Sequence, residues 1–180
     1  MVSIRPPQLA EARAIARCHV AAWRDSYRPR IADEILNRPS LEADYTAKWN
    51  DRLRQPDGLI FVAESDRHEL VGFIQGGRER TGRTDYEGEI YSIYVSSEHR
   101  RQGIGRKLFQ RLAESLLEIE ITAAIVWVFE ANPCRHCYAA WGGEPIDAAP
   151  ITVGEQKLVQ VAYAWKRLDS LASQDRRIKL

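Results

Sequence analysis

The chain has 180 residues, 44% hydrophobic and 28% charged, with 26 basic side chains against 25 acidic ones. That composition describes a single globular domain with room for a sizeable core, and its near-neutral balance excludes a surface devoted wholly to nucleic acid or anionic membrane. Three cysteines give no disulfide framework, the N-terminus lacks the apolar segment of a signal peptide, and the longest apolar stretch, Ile121 to Phe129, is too short for a membrane helix, so a cytoplasmic protein is expected.

In chain order, Val2 to Arg5 reads as a short strand closed by Pro6-Pro7. Leu9, Ala12, Ala16, Val20, Trp23 and Tyr27 recur at helical spacing, which predicts a helix from Gln8 to about Tyr27, ended by Pro29. Ile31 to Leu36 fits a short second helix. Ser40 opens a third with Leu41, Tyr45, Trp49 and Leu53, stopped by the turn chemistry of Pro56-Asp57-Gly58. The texture then changes to strands. Leu59 to Ala63 and Leu70 to Gln75 flank the polar turn Asp66 to Glu69 as an antiparallel hairpin. Gly76 to Asp85 is a charged, glycine-rich loop or frayed strand end, and Glu89 to Val95 is the next strand.

After that strand come Arg100, Arg101, Gln102, Gly103, Ile104, Gly105 and Arg106, a basic, glycine-spaced turn. An amphipathic helix with Ile104, Leu108, Leu112 and Leu116 follows it. Ile121 to Phe129 reads as a strand buried on both faces, so strand 89–95, helix and strand 121–129 form a βαβ unit. Asn132-Pro133 opens a short helix that holds Tyr138 and Trp141 and ends at Gly142-Gly143. Glu144 to Thr152 is ambiguous, Lys157 to Trp165 alternates as a last strand, and Ser170 to Leu180 reads as a polar tail. One domain is expected over 1–168 with a tail over 169–180.

Glycines at a strand-to-helix corner let the backbone approach a ligand, and the first N–H groups of the helix can face an anion. The corner is therefore expected to hold phosphate, the alternative being a plain basic turn before a surface helix. A Walker loop needs Gly-Lys-Ser/Thr, but Gly105 is followed by Arg106-Lys107-Leu108. A dinucleotide fingerprint needs a third glycine where Leu108 stands; Glu130, after the next strand, meets the other half of that signature. The acyl-CoA pyrophosphate loop, Arg/Gln-x-x-Gly-x-Gly/Ala, is matched at every position by Arg100-Arg-Gln-Gly-Ile-Gly105.

With that loop in place, the sequence resembles the GNAT superfamily of N-acetyltransferases. Ile93-Tyr-Val95 resembles the family's fourth strand, whose backbone pairs with pantetheine, and Asn132 to Tyr138 with Gly142-Gly143 resembles its Asn…Tyr…Gly segment. Val161 to Trp165 resembles a common last strand. The likeness covers about 2–168. It implies an α/β fold: a central, mixed, mostly antiparallel sheet splayed between its fourth and fifth strands and flanked by helices.

The resemblance further implies acetyl transfer from acetyl-CoA, a co-substrate, to a primary amine, without a metal or covalent enzyme intermediate. Ile93, Tyr94, Val95, the corner residues 100–106 and Asn132 would hold the donor, and a strand N–H freed by a bulge would serve the oxyanion. An alkyl ammonium, with a pKa of about 10.4, must lose a proton before attack. Glu89 aligns with the glutamate that several members use as base, ahead of Glu87 and Asp85; otherwise it is a solvated strand-end acid. Tyr138 aligns with the family's tyrosine acid, or is an aromatic core residue. Donation from a phenol of pKa about 10 to a thiolate of about 8.5 is uphill unless the site tunes it. Asn132 is also a natural helix cap.

Cys134 and Cys137 have CxxC spacing but no second pair, which argues against a metal site. The partners expected are a small-molecule or peptide amine and, as is common in the family, a second copy of the chain; nucleic acid and membrane are not expected. Asp25, Asp33, Glu34 and Asp85 are candidate contacts for a cationic acceptor. A non-catalytic acyl-CoA sensor on the same scaffold is the alternative, and the presence of both Glu89 and Tyr138 counts against it.

Overall fold

Among the described residues, the six expected strands and the ambiguous segment before the last of them meet in one seven-stranded sheet that carries helices on both faces. The computed structural model describes residues 1–28, 31–55, 58–83 and 85–172. The expected helix stop at Pro29, the Pro56-Asp57 turn and the tail beyond 172 lie outside the described residues. The strands are β1 (Ser3–Arg5), β2 (Leu59–Glu64), β3 (Leu70–Arg78), β4 (Gly88–Val95), β5 (Ala124–Phe129), β6 (Glu144–Val153) and β7 (Gln156–Trp165), in spatial order β1-β2-β3-β4-β5-β7-β6. Every neighbouring pair is antiparallel except β4–β5. That pair runs parallel through Gly88↔Ala124, Glu89↔Ile125 and Ile90↔Val126 only. Beyond Ile90 the two strands part, and the sheet forks where the resemblance implies it should.

Helix α1 (Ala12–Tyr27), the one-turn α2 (Asp33–Leu36) and α3 (Leu41–Leu53) cover one face. There Ile15, Ala16, Trp49, Val62 and Phe73 are buried together. Helix α4 (Ile104–Glu118) covers the other face, and Leu108, Leu112 and Leu116 are all at most 1% exposed. Each such side chain contributes about 1.5–3 kcal/mol of burial. The short α5 (His136–Ala140) follows β5, and a final turn, α6 (Asp169–Ala172), buries Leu171 in the α4-side core.

Several boundaries differ from the sequence expectation for physical reasons. Leu9 stands in a 3₁₀ turn ahead of α1 and is 61% exposed, so the apolar stripe begins at Ala12. Ser40 does not cap α3; its backbone is already helical and its hydroxyl donates to Asp44 Oδ2 at 3.1 Å. Strand β5 starts at Ala124, because the Ile121 N–H closes α4 by bonding the Leu116 carbonyl at 2.9 Å, with Glu120 at positive φ. The ambiguous segment is β6, an edge strand that exposes most of one face and tolerates Pro145 and Pro150.

Gly76 and Gly77 belong to β3, not to the loop expected after Gln75. A Cβ on Gly76 would lie 2.6 Å from a Leu112 methyl and 2.8 Å from the Glu89 carbonyl, so this glycine is what lets α4 lie against the sheet. Gly76→Ala is therefore expected to lower stability by about 1–3 kcal/mol. Chemical denaturation measures it; an unchanged midpoint would mean that α4 does not depend on this contact.

His19 on α1 is 7% exposed, boxed by Tyr45, Phe73 and Tyr94 at 4.4–5.0 Å, and its Nδ1 has no hydrogen-bond partner. Burial, reinforced by the charges of Arg52 and Lys48, pushes its imidazole down to about 3. The unfolded chain takes up a proton below about pH 6.5 that the folded chain refuses, so stability is intact above that pH and falls toward pH 3. Between pH 7 and pH 5 this one group is expected to cost about 2 kcal/mol. His19→Phe should flatten that slope in urea titrations at the two pH values, and parallel slopes would refute the assignment.

Candidate functional site

The fork between β4 and β5 organises the site. On its other edge β4 pairs with β3, and the Ser96 N–H donates to the Val71 carbonyl at 2.9 Å. Antiparallel alternation then points the backbone groups of Tyr94 and Ser92 at β3 and those of Ile93 and Val95 into the fork. The Val95 carbonyl, which Arg100 Nε reaches at 3.1 Å, confirms that direction. The β-bulge expected to free such a group does exist, but it falls at Tyr91, between the Gln75↔Ser92 and Gly76↔Ile90 pairs. At Ile93 and Val95 it is the parting of β5 that leaves the edge open.

The corner after β4 closes one end of a cleft of about 550 Å³ on the α4 side. Arg101 and Gly103 both take positive φ, at 64° and 77°, which folds the chain back so that α4 starts at Ile104. The first helical bond is Lys107 N–H to the Gly103 carbonyl, and the N–H groups of Gly103, Ile104 and Gly105 lie ahead of it at the helix start, where that segment lines the cleft. A Cβ on Gly105 would come within 3.3 Å of the Trp141 ring, so the helix start passes close to that indole. Arg100, Arg101 and Arg106 line the cleft, and Arg100 also reaches Ser26 Oγ on α1 at 3.4 Å. Helix-start N–H groups, a helix dipole and guanidinium groups together suit a pyrophosphate. Gln102 is the exception among the expected residues, since its amide donates to the Glu98 carbonyl at 3.1 Å and does not line the cleft.

The segment after β5 supplies the opposite wall. Asn132 caps the turn at Pro133, accepting from the Cys134 N–H at 2.8 Å and donating to the Tyr27 hydroxyl at 2.8 Å. Its amide thus ties the wall to α1. Tyr138 is 7% exposed, lies edge-on to Trp141 and faces the cleft. Burial pushes its phenol well above the usual tyrosine value, with the neighbouring Cys137, Tyr27 and Cys134 adding to the rise. Cys134 and Cys137 line the same cleft as free thiols, and burial pushes Cys137 up to about 12. Among the described residues no group of His, Cys, Asp and Glu could hold a metal ion.

Glu89 lies on the other face of the sheet, in the last paired turn before the fork, and is 5% exposed. It is no free strand-end acid. Arg80 Nη2 donates to its Oε1 at 2.8 Å, while Arg80 Nε and the Arg80 N–H donate to Oε2 at 3.0 and 3.1 Å. Arg80 itself stacks over the Tyr91 ring at 3.4 Å. Asp85 and Glu87, the weaker candidates, are exposed. Sequence reasoning missed Arg80, Ser26 and Trp141 as site residues. A charged loop beside a strand bearing a lone acid was the only signal for Arg80.

A family profile described as the Acetyltransferase (GNAT) family matches residues 18–142. The chain is 32% identical over 171 residues to an uncharacterized N-acetyltransferase, YuaI, of Bacillus subtilis (strain 168), covering 95% of this chain and 96% of that protein. Its fold is similar to PaiA N-acetyltransferase from Thermoplasma acidophilum, solved with coenzyme A: TM-score 0.71, 16% identity, covering 89% of this chain and 98% of that one. It is also similar to YncA from Salmonella typhimurium, solved with acetyl-CoA: TM-score 0.69, 19% identity, 94% and 95% coverage. On sequence and fold alike, the chain belongs to the GNAT family of acetyltransferases.

Proposed function

We propose that the chain moves the acetyl group of acetyl-CoA to a primary amine by direct attack, with donor and acceptor bound together on opposite faces of the fork. The observation that carries this reading is the pairing of a cationic, N–H-lined cleft on one face with a buried carboxylate on the other. Acetyl-CoA supplies an activated acetyl thioester. Arg100, Arg101, Arg106 and the N–H groups at Gly103 to Gly105 hold its pyrophosphate, and the fork-facing edge at Ile93 and Val95 pairs with its amide arm. A fork-facing N–H on β4 is available to the carbonyl oxygen as it gains charge.

Glu89 acts as the base. A carboxylate offers about four lone-pair positions. Arg80 fills three of them, which fixes the group and leaves one for a water or the ammonium. Glu89 takes the first proton of the ammonium, directly or through a water, so that a neutral amine attacks; the C–N bond forms and the C–S bond breaks, the second proton of the nitrogen passes to solvent and the thiolate leaves. Tyr138 donates a hydrogen bond to that sulfur. Because burial raises its phenol further above a thiol, its part is to steady the thiolate, with solvent completing the protonation. The three cysteines are all free, which fits a reducing compartment, and we place the reaction in the cytoplasm. No helix among the described residues is long and apolar enough to cross a membrane.

Glu89→Gln is expected to lower kcat by about 10²–10⁴ at neutral pH, with acetyl-CoA affinity by calorimetry unchanged. If CoA affinity falls instead, Glu89 is a structural acid. For Tyr138→Phe the expected loss is about tenfold in kcat, corresponding to one hydrogen bond to a charged atom, with the pH profile kept. A profile that loses its alkaline limb would show full proton transfer by the phenol.

A further inference from the structure

Where β4 and β5 part, the face opposite the donor cleft carries two hydrogen-bond donors with nothing to bond. Trp127 follows Val126, the last β5 residue paired with β4, and Ser92 lies just past the Tyr91 bulge on the facing strand. The Trp127 Nε1 and Ser92 Oγ atoms are buried and have no hydrogen-bond partner. Unpartnered buried donors are rare, and two at one fork call for an acceptor that arrives from outside.

The cations around them point the same way. Arg80 covers Tyr91, the neighbour of Ser92, and Arg83 lies over the Trp127 ring at 5.5 Å while bonded to Asp147. Arg52, at the end of α3, is half-buried against the Trp49 ring at 5.0 Å. Among the described residues it has no carboxylate partner, and burial together with the Arg80 charge lowers its pKa, opposed by the Tyr45 phenol. Arg52 on α3 and Arg80 beside Glu89 both belong to the face that α1 and α3 cover, and of the two only Arg80 has a carboxylate among the described residues. The acids that could have bound a cationic acceptor, Asp25, Asp33, Glu34 and Asp85, are all on the exposed surface instead.

An ammonium group satisfies none of these donors, because it has no lone pair; an indole N–H and a guanidinium require an oxygen acceptor. We propose that the acceptor amine carries a carboxylate, as an amino acid does, and that Trp127, Ser92 and Arg52 hold the carboxylate while Glu89 receives the amine. This rests on the acetyl-transfer reading only in taking this face as the acceptor side.

The test compares amino acids with their decarboxylated amines, phenylalanine with phenethylamine and methionine with 3-methylthiopropylamine, alongside spermidine, read by thiol release from acetyl-CoA. The acids are expected to give kcat/KM values at least about tenfold above their amines. Trp127→Phe and, separately, Arg52→Gln should raise KM for the acid about tenfold or more, with the loss on KM exceeding that on kcat and with acetyl-CoA affinity unchanged. Amines or spermidine turned over as well as the acids, or a preference that survives both substitutions, would overturn the proposal. Calorimetry of the same ligands on the CoA-loaded protein separates the two readings. If acids bind, amines do not and nothing is acetylated, the carboxylate site stands and acetyl transfer falls. If neither class binds, the carboxylate site falls.

Discussion

The parting of β4 from β5 after three paired residues is the constraint on which the rest of the molecule depends. A sheet that stayed zipped would spend the backbone groups of Ile93 and Val95 on β5 and leave no room between the strands. Because it opens, those groups become an edge able to bond a ligand, and the two faces of the sheet communicate through a gap one strand wide. Holding the gap open falls to the surrounding packing. Helix α4 seats Leu108 and Leu112 against β2–β4 on one side, and Tyr27, Ile31 and Leu36 cluster with Tyr94 and Phe129 on the other. The Asn132 amide, bonded to Tyr27 across the gap, links the two walls.

The charge distribution follows the same division. On the donor side, cations and helix N–H groups gather at the corner where β4 turns into α4, suited to a pyrophosphate. On the other face the cations stand around a single buried carboxylate, held by three hydrogen bonds from Arg80. A buried acid must be paired or neutralised, and here Arg80 does the pairing without filling every acceptor position of the carboxylate. The phenol of Tyr138 is governed by the opposite effect: burial, with the neighbouring Cys137, Tyr27 and Cys134, keeps it protonated.

The sequence by itself determined the glycine-spaced basic corner and the order of all the elements but β6 and α6. Arg100 to Gly105 is a local motif whose glycines and basic residues act through backbone conformations set within a few residues, and Gly103 and Arg101 adopt the positive φ that such a corner needs. Periodicity sufficed for α1, α3, α4 and the inner strands, because each buries one continuous stripe or face. It failed for β6, an exposed edge strand with little apolar pattern, and for Gly76 and Gly77, whose purpose appears only when α4 and Tyr91 lie against them.

What the tertiary structure alone decided is the environment of the acid and of the sheet face around it. Glu89 meets Arg80 across a β-hairpin, and Trp127 and Ser92 lie on the two strands of the fork, separated in sequence by a whole helix. Those neighbours are fixed by register and by where the sheet splits, and register depends on the pairing of distant segments, which no local pattern encodes. The sequence could therefore name the donor, while the surroundings of Glu89 depend on contacts that exist only once the sheet is assembled.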